Sequence, residues 1–308
     1  MKSQFSILCL LVNILLISCE QAPQYYEVSG RLHTPYHIKF EHTKPLDKEI
    51  DEQLKYFYHL FNAFDSTSVI SQVNQNRDIR VDTLFQKVFK KALEVSTETN
   101  GAYDVTCAPL INLWGFGFSR KDSVTPAHID SVRQFIGFQK VRLEGDRIVK
   151  DDPRLMMNFS SLADGTVCDM IAQMLEKKGV RNYLVEFGGE MRVKGVNPMG
   201  VDWRLGIAKP IDDADGMNQE WEQVVSFPRP LGMATSGNYR NFYIKDGRKY
   251  AHTIDPREGC PVQRDILSAT IVAPDAMTAD AYATAFMVLG SEEAKSLCLN
   301  ILLFVPIR

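Results

Sequence analysis

The stretch from Leu231 to Leu289 constrains this chain more than any other part of it. It carries Ala234-Thr235-Ser236-Gly237-Asn238-Tyr239-Arg240, then His252-Thr253-Ile254-Asp255-Pro256, then Met277-Thr278-Ala279-Asp280-Ala281-Tyr282-Ala283-Thr284. Ala276 to Leu289 reads as a helix, with Gly290 behind it as a stop signal. On that helix Asp280 and Thr284 are four positions apart, so both side chains point the same way. A carboxylate beside a hydroxyl offers hard oxygens, which suit Mg²⁺ better than zinc. A helix cap at Thr278 or Asp280 explains the same residues without any ligand.

Other polar clusters carry the same double reading. Asn158-Phe159-Ser160-Ser161-Leu162-Ala163-Asp164-Gly165 is a small-residue turn leading into a helix over 166–178. Free backbone N–H groups and the helix dipole make such a start a phosphate cradle, although Ser and Asp also cap helices that bind nothing. Gly188-Gly189-Glu190 follows an apolar strand and allows a ligand close to the backbone, or simply a tight turn. Thr235 and Ser236 sit in a further hydroxyl-rich stretch. His252 stands at the end of a strand, where an imidazole can accept a proton near neutral pH, though a lone His is more often structural. Neither a GxGxxG nor a GxxxxGK[ST] phosphate loop is present, and there is no HExxH.

A length of 308 residues with 45% apolar and 24% charged side chains supplies ample core for one large domain or two modest ones. A net charge of −3 argues against a nucleic-acid or other polyanion partner. The N-terminus differs from the rest. Lys2 is followed by a nearly continuous apolar run from Phe5 to Ile17, too short for a comfortable transmembrane span and ending in Leu16-Ile17-Ser18-Cys19. That order reads as a bacterial lipobox: a signal peptide over 1–18, lipidation at Cys19, a linker over 19–25 and one domain over 26–308. Lipid at Cys19 makes the protein a membrane-anchored lipoprotein. An uncleaved anchor or an ordinary buried cysteine is the plainer alternative. Cys107, Cys168, Cys260 and Cys298 form no CxxC pair and read as single buried thiols.

Along the domain, residues 26–41 alternate as paired strands around Thr34-Pro35. Helical periodicity covers 46–63, 85–99, 128–137 and 166–178, with a hairpin at Glu144-Gly145-Asp146. Strands are expected at 183–187, 203–208, 241–244, 249–254 and 266–272. The irregular interleaving of helices and strands predicts an α+β fold, with largely antiparallel or mixed sheet and packed helices.

Taken in order, these segments resemble the ApbE family of FAD:protein FMN transferases. The resemblance runs from Leu32-His33-Thr34-Pro35-Tyr36 and Phe64-Asp65-Ser66-Thr67 through Tyr103-Asp104-Val105-Thr106, Phe159 to Gly165, Val185 to Glu190, Thr235 to Tyr239 and His252 to Pro261, to Met277 to Leu289. It implies a T-fold-related architecture and an exported enzyme on the periplasmic side of the envelope. It also implies a Mg²⁺-dependent transfer of FMN from FAD to a Ser or Thr of a target protein, with release of AMP. The usual targets are membrane subunits of redox pumps of the Na⁺-translocating NADH:quinone reductase and Rnf kinds.

By the same resemblance, Asp280 and Thr284 are metal side chains and the Ser161 carbonyl joins them. Leu32, Asp104, Val105, Thr106, Asp164, Gly188, Gly189, Thr235 and Ser236 bind the FAD, with Glu186 in the same strand–turn element as the two glycines. His252 is the candidate base, with a carboxylate near the metal as its rival. Two activities of other kinds remain open: hydrolysis of FAD to FMN and AMP, and flavin carriage without chemistry. His33 departs from the family's usual Gly, and Asp164 from Lys or Glu. The tail Leu297–Arg308 is short and apolar where the family continues with a helix and a polar strand pair, which suggests truncation or an altered frame and puts an edge strand at risk.

Overall fold

The computed structural model describes residues 22–117, 124–211, 220–239, 241–297 and 303–307. The signal sequence, Cys19, Cys298 and part of the tail lie outside the described residues.

Seven strands form the central sheet, and every neighbouring pair is antiparallel. Across the sheet they run Gln24–Arg31, Pro35–His42, Tyr183–Phe187, Glu190–Lys194, Leu231–Gly237, Ser268–Ala273 and Leu303–Ile307. Period-2 alternation decides the faces. Tyr183, Val185 and Phe187 are fully buried under the helices, while Leu184 packs on the opposite side against the hairpin Arg204–Ala208/Trp221–Ser226. Ser268–Ala273, covered on both sides, is buried at every position. The fold is thus α+β, with helices on one face, a small hairpin on the other, and satellite hairpins at 141–150, 242–251 and 254–261.

The helical layer follows from its sequence. Asp47–Phe61 buries Ile50, Leu54, Phe57 and Leu60 on one stripe. Thr83–Glu98 starts on Asp82, whose side chain accepts from the Phe85 N–H, and buries Phe85, Val88, Phe89, Ala92 and Val95. Two helices lie at the centre, Ser160–Lys177 and Ala276–Leu289. Every residue of the latter except Thr284 is buried.

Three expectations change. The helix expected from Thr166 begins at Ser160, because Asn158 Oδ1 accepts from the Ser160 N–H at 2.7 Å and Gly165 is a packing residue within the helix rather than a breaker before it. Glu190–Lys194 and Leu231–Gly237 are central strands that the polar and hydroxyl-rich sequence disguised. The apolar tail supplies an edge strand: Leu303–Ile307 pairs with Ser268–Ala273. Phe304 meets Phe286 edge-on at 4.8 Å, while Val305 and Ile307 pack on the opposite face, so this strand is apolar because both of its faces are covered. Pro306 is tolerated because the strand is at the edge. Among the described residues Cys107, Cys168 and Cys260 are free thiols, as expected, but only Cys168 is fully buried, while Cys107 and Cys260 are half-buried.

The two central helices touch backbone to backbone. A Cβ added at Gly165 would lie 2.3 Å from the Ala276 carbonyl oxygen, and one at Gly232 would lie 2.2 Å from the Ala276 nitrogen. Gly165→Ala and Gly232→Ala should therefore each destabilise the fold by about 1–3 kcal/mol through forced displacement of the Ala276–Leu289 helix. Denaturant unfolding checks this; an unchanged midpoint in both variants would refute the close approach.

Candidate active site

One end of the central sheet opens into a cleft of about 540 Å³. The turn at 32–34, Gly188 beyond Tyr183–Phe187, the end of Leu231–Gly237, the first turn of Ser160–Lys177 and one side of Ala276–Leu289 all meet there. Of the sequence-selected residues, Asp104, Ser161, Asp164, Gly188, Thr235, Ser236, His252, Asp280 and Thr284 line this one cleft.

The Ala276–Leu289 helix is capped by Asp275, whose side chain accepts from the Thr278 N–H at 2.8 Å. Asp280 and Thr284 are therefore free of capping duty and face the cleft, which removes the cap explanation. Thr284 Oγ1 lies 3.1 Å from Ser236 Oγ, and Thr235 Oγ1 lies 2.8 Å from Thr270 Oγ1. Asp280 Oδ2 accepts from the Gly165 N–H at 3.0 Å. A regular helix aims that N–H at the Ser161 carbonyl, so its commitment to Asp280 leaves capacity on the Ser161 oxygen. The Ser161 hydroxyl itself donates to the Tyr103 hydroxyl at 3.0 Å.

Three carboxylates converge on this wall. Burial pushes the Asp280 carboxyl well above its ordinary range, and Asp164 adds to the effect. Glu190 is raised in the same direction by burial and then by Asp280 and Asp164. Asp164 is tethered by the His33 ring, whose Nε2 lies 2.9 Å from Asp164 Oδ1 while its Nδ1 meets the Tyr58 hydroxyl. Gly188 is required here: its φ is +69°, and a Cβ would lie 2.7 Å from Asp164 Oδ2. Among the described residues no three His, Cys, Asp or Glu side chains are grouped as a metal site. A cation here would rest on the Asp280 carboxylate together with hydroxyl and carbonyl oxygens, a donor set that fits Mg²⁺.

His252 also lines the cleft. Its Nδ1 lies 3.2 Å from the Asn241 carbonyl oxygen, which can only accept, so Nδ1 carries the proton and Nε2 presents a lone pair. Burial lowers the imidazole below its ordinary value, keeping it neutral at pH 7. The ring meets Phe116 edge-on at 6.4 Å. Phe116 in turn stacks on Tyr243 at 5.2 Å, Tyr243 on Tyr250 at 5.3 Å, and Tyr250 on Trp114 at 5.6 Å. This aromatic ladder holds the hairpin from which His252 emerges.

Some selected residues fall elsewhere. Leu32 is 42% exposed at the rim, and Gly189 is not among the lining residues. Val105 is core. Thr106 donates through its N–H and hydroxyl to Asp104 Oδ1, both at 2.7 Å, and Asp104 Oδ2 accepts from the Phe138 N–H at 2.8 Å. The Asp104 carboxylate is thus committed to holding two loops, with burial raising its pKa. Glu186 alternates onto the other face of the sheet, beside Arg204 and Trp221. Sequence reasoning missed Asp169, which accepts from the Ala276 and Met277 N–H groups at 3.0 and 2.9 Å and so holds the start of the Ala276–Leu289 helix. A charged residue on the buried stripe of Ser160–Lys177 was the available signal.

The geometry has counterparts among known proteins. The model of the ApbE family matches residues 32–302. A relative from Vibrio cholerae serotype O1, named FAD:protein FMN transferase, is 36% identical over 291 residues, covering 91% of this chain and 86% of the relative. The solved flavin transferase ApbE from Vibrio cholerae has a TM-score of 0.78 and 32% identity over 92% of this chain and 97% of that one. The apo flavinyl transferase ApbE of Pseudomonas stutzeri has a TM-score of 0.79 and 27% identity over 93% of this chain and 95% of that one. The fold is that of the flavin transferases. The chain belongs to the ApbE family.

Like charges facing one another cost stability. Acids whose pKa is raised on folding contribute stability below their unfolded pKa, and that contribution is lost as pH rises through the folded value. Asp280→Asn should raise the unfolding free energy at pH 7 by roughly 1–3 kcal/mol in divalent-free buffer, with the gain shrinking as pH falls toward 4. Unfolding midpoints across pH check this; a variant no more stable than the parent at neutral pH would overturn the repulsion.

Proposed function

We propose that this chain transfers the FMN part of FAD to a Ser or Thr hydroxyl of an acceptor protein and releases AMP. The supporting observation is the pairing, across one cleft, of a hard-oxygen wall at Ser161, Asp280 and Thr284 with a neutral, inward-lining imidazole at His252. The names of the relatives point the same way. The proposed acceptors are membrane subunits of redox pumps of the Na⁺-translocating NADH:quinone reductase and Rnf kinds. The order of Lys2, the apolar run and Cys19 supports a lipid-anchored protein on the periplasmic side.

In this reading the acceptor oxygen attacks the FMN phosphorus, the bond to the bridging oxygen breaks, and AMP departs with that electron pair. The hydroxyl proton passes to His252 Nε2, the ring nitrogen left bare by the Asn241 contact. Asp280, Thr284 and the Ser161 carbonyl would hold Mg²⁺, which when bound supplies positive charge beside the phosphate oxygens. Gly188 lets the ligand approach the backbone, and the start of Ser160–Lys177 directs its dipole at the same space. Burial keeps His252 neutral.

Incubation with FAD, Mg²⁺ and a candidate acceptor tests this: covalent fluorescent flavin should appear on the acceptor. Free FMN alone would establish hydrolysis instead, and unchanged FAD would establish a flavin carrier. His252→Ala should retain FAD affinity and lose transfer by roughly 10²–10⁴-fold. Because burial lowers this imidazole, the parental rate should fall with acid only below the ordinary imidazole range, and the variant should lack that limb. Transfer by His252→Ala at the parental rate would remove the base from this mechanism.

A further inference from the structure

The cleft and the start of the described chain lie at opposite ends of the central sheet. The register fixes this. Gln24 pairs with His42, and Phe40 with Tyr183, which pairs with Lys194; Arg31 pairs with Pro35, next to the turn that lines the cleft. The first strand therefore runs its whole length from the starting end to the cleft, about 25 Å for eight residues in extended form.

At the starting end, Tyr25 donates to the Val196 carbonyl at 2.6 Å and meets Trp203 edge-on at 6.4 Å. Beside it a tight turn projects outward, closed by the Asn197 N–H donating to the Val201 carbonyl at 2.8 Å and by Asn197 Oδ1 accepting from the Met199 N–H at 2.9 Å. At the tip of this turn Met199 is 79% and Val201 50% exposed. Arg181, just before the third strand, and Arg229, just before the fifth, are exposed at the same end, as is Asp202 beside Val201. Gln24 lies five positions after Cys19, a reach of at most roughly 18 Å.

We infer that this end of the sheet, with the Met199–Val201 turn at its tip, is a docking surface for an anionic lipid bilayer, and that the cleft opens away from the membrane. The inference rests on the lipid anchor proposed at Cys19. A short tether holds this end within reach of the lipid surface. Apolar side chains on a rigid turn enter the interface, and the arginines meet the headgroups. The acceptor hydroxyl must then stand about 25 Å or more from the bilayer, so the partner is a membrane protein whose modified segment projects into the aqueous phase.

Bromolipid quenching of the lipidated full chain in vesicles of phosphatidylcholine with phosphatidylglycerol tests this. Met199→Trp places a reporter at the turn. Phe64→Trp places one beyond the helix whose Tyr58 reaches His33 at the cleft, where Phe64 is 81% exposed. Brominated lipid should abolish most of the emission added by Trp at 199 and leave that added at 64 intact, with unfolding midpoints of both variants matching the parent. Emission at 199 that is unquenched, or both positions quenched alike, would overturn the orientation while leaving the anchor in place. Failure of the parent to stay with the vesicles would overturn the anchor and the orientation together.

Discussion

The hydrogen bond from the Gly165 N–H to Asp280 Oδ2, made where two buried helices touch through glycine, underlies the whole site. It brings the start of one helix, with Ser161 and Asp164, against the second and third turns of another, with Asp280 and Thr284. The contact is fixed from outside as well. Asp169, one turn further along, takes the first two N–H groups of the neighbouring helix, and Arg192 lies 3.6 Å from that carboxylate. Asp169 is nearly fully buried and its pKa is pushed up to about 6, chiefly by desolvation and then by Asp275, with the two N–H groups opposing. Its work is geometric: a one-residue slip of either helix would separate the hard oxygens that the cleft assembles.

The same contact makes the cleft electrostatically unfavourable when empty. Asp280 and Glu190 are both raised by burial and by the carboxylates they face. A fold selected for stability alone would dilute such charge; here it is concentrated at the start of a helix, where the dipole already favours an anion. A cation between the carboxylates and an anionic ligand would reconcile those two preferences. The donor set of one carboxylate with neutral oxygens matches such a cation and gives soft metals nothing to hold.

How much of this was legible in the sequence varied with the range of each contact. Asp280 and Thr284 were readable because helical spacing alone places them on one side, and His252 because it closes a strand. The start of Ser160–Lys177 was misplaced because Gly165 looks like a breaker until its partner, Ala276, is known. Leu231–Gly237 hid behind Thr235 and Ser236, whose hydroxyls bond Thr270 and Thr284 across the structure. His33 and Asp164 were each noticed as departures from the family, but nothing in one dimension shows that residues 131 positions apart bond each other. The apolar tail looked like a defect because its edge-strand role depends on two covered faces that local pattern cannot supply.

Acid cluster and base must also be kept apart. A carboxylate beside His252 would raise its pKa and charge the ring, ending its use as a base near neutral pH. Burial and the Asn241 carbonyl are the influences that act on this imidazole, and burial dominates. The sheet end achieves the separation by drawing its two walls from different layers: the carboxylates from the packed helices, the imidazole from a hairpin held by stacked rings. The space left between them is where attack of a hydroxyl on a phosphate is best supported, since His252 can take the proton and a cation held by the other wall would stabilise the growing negative charge.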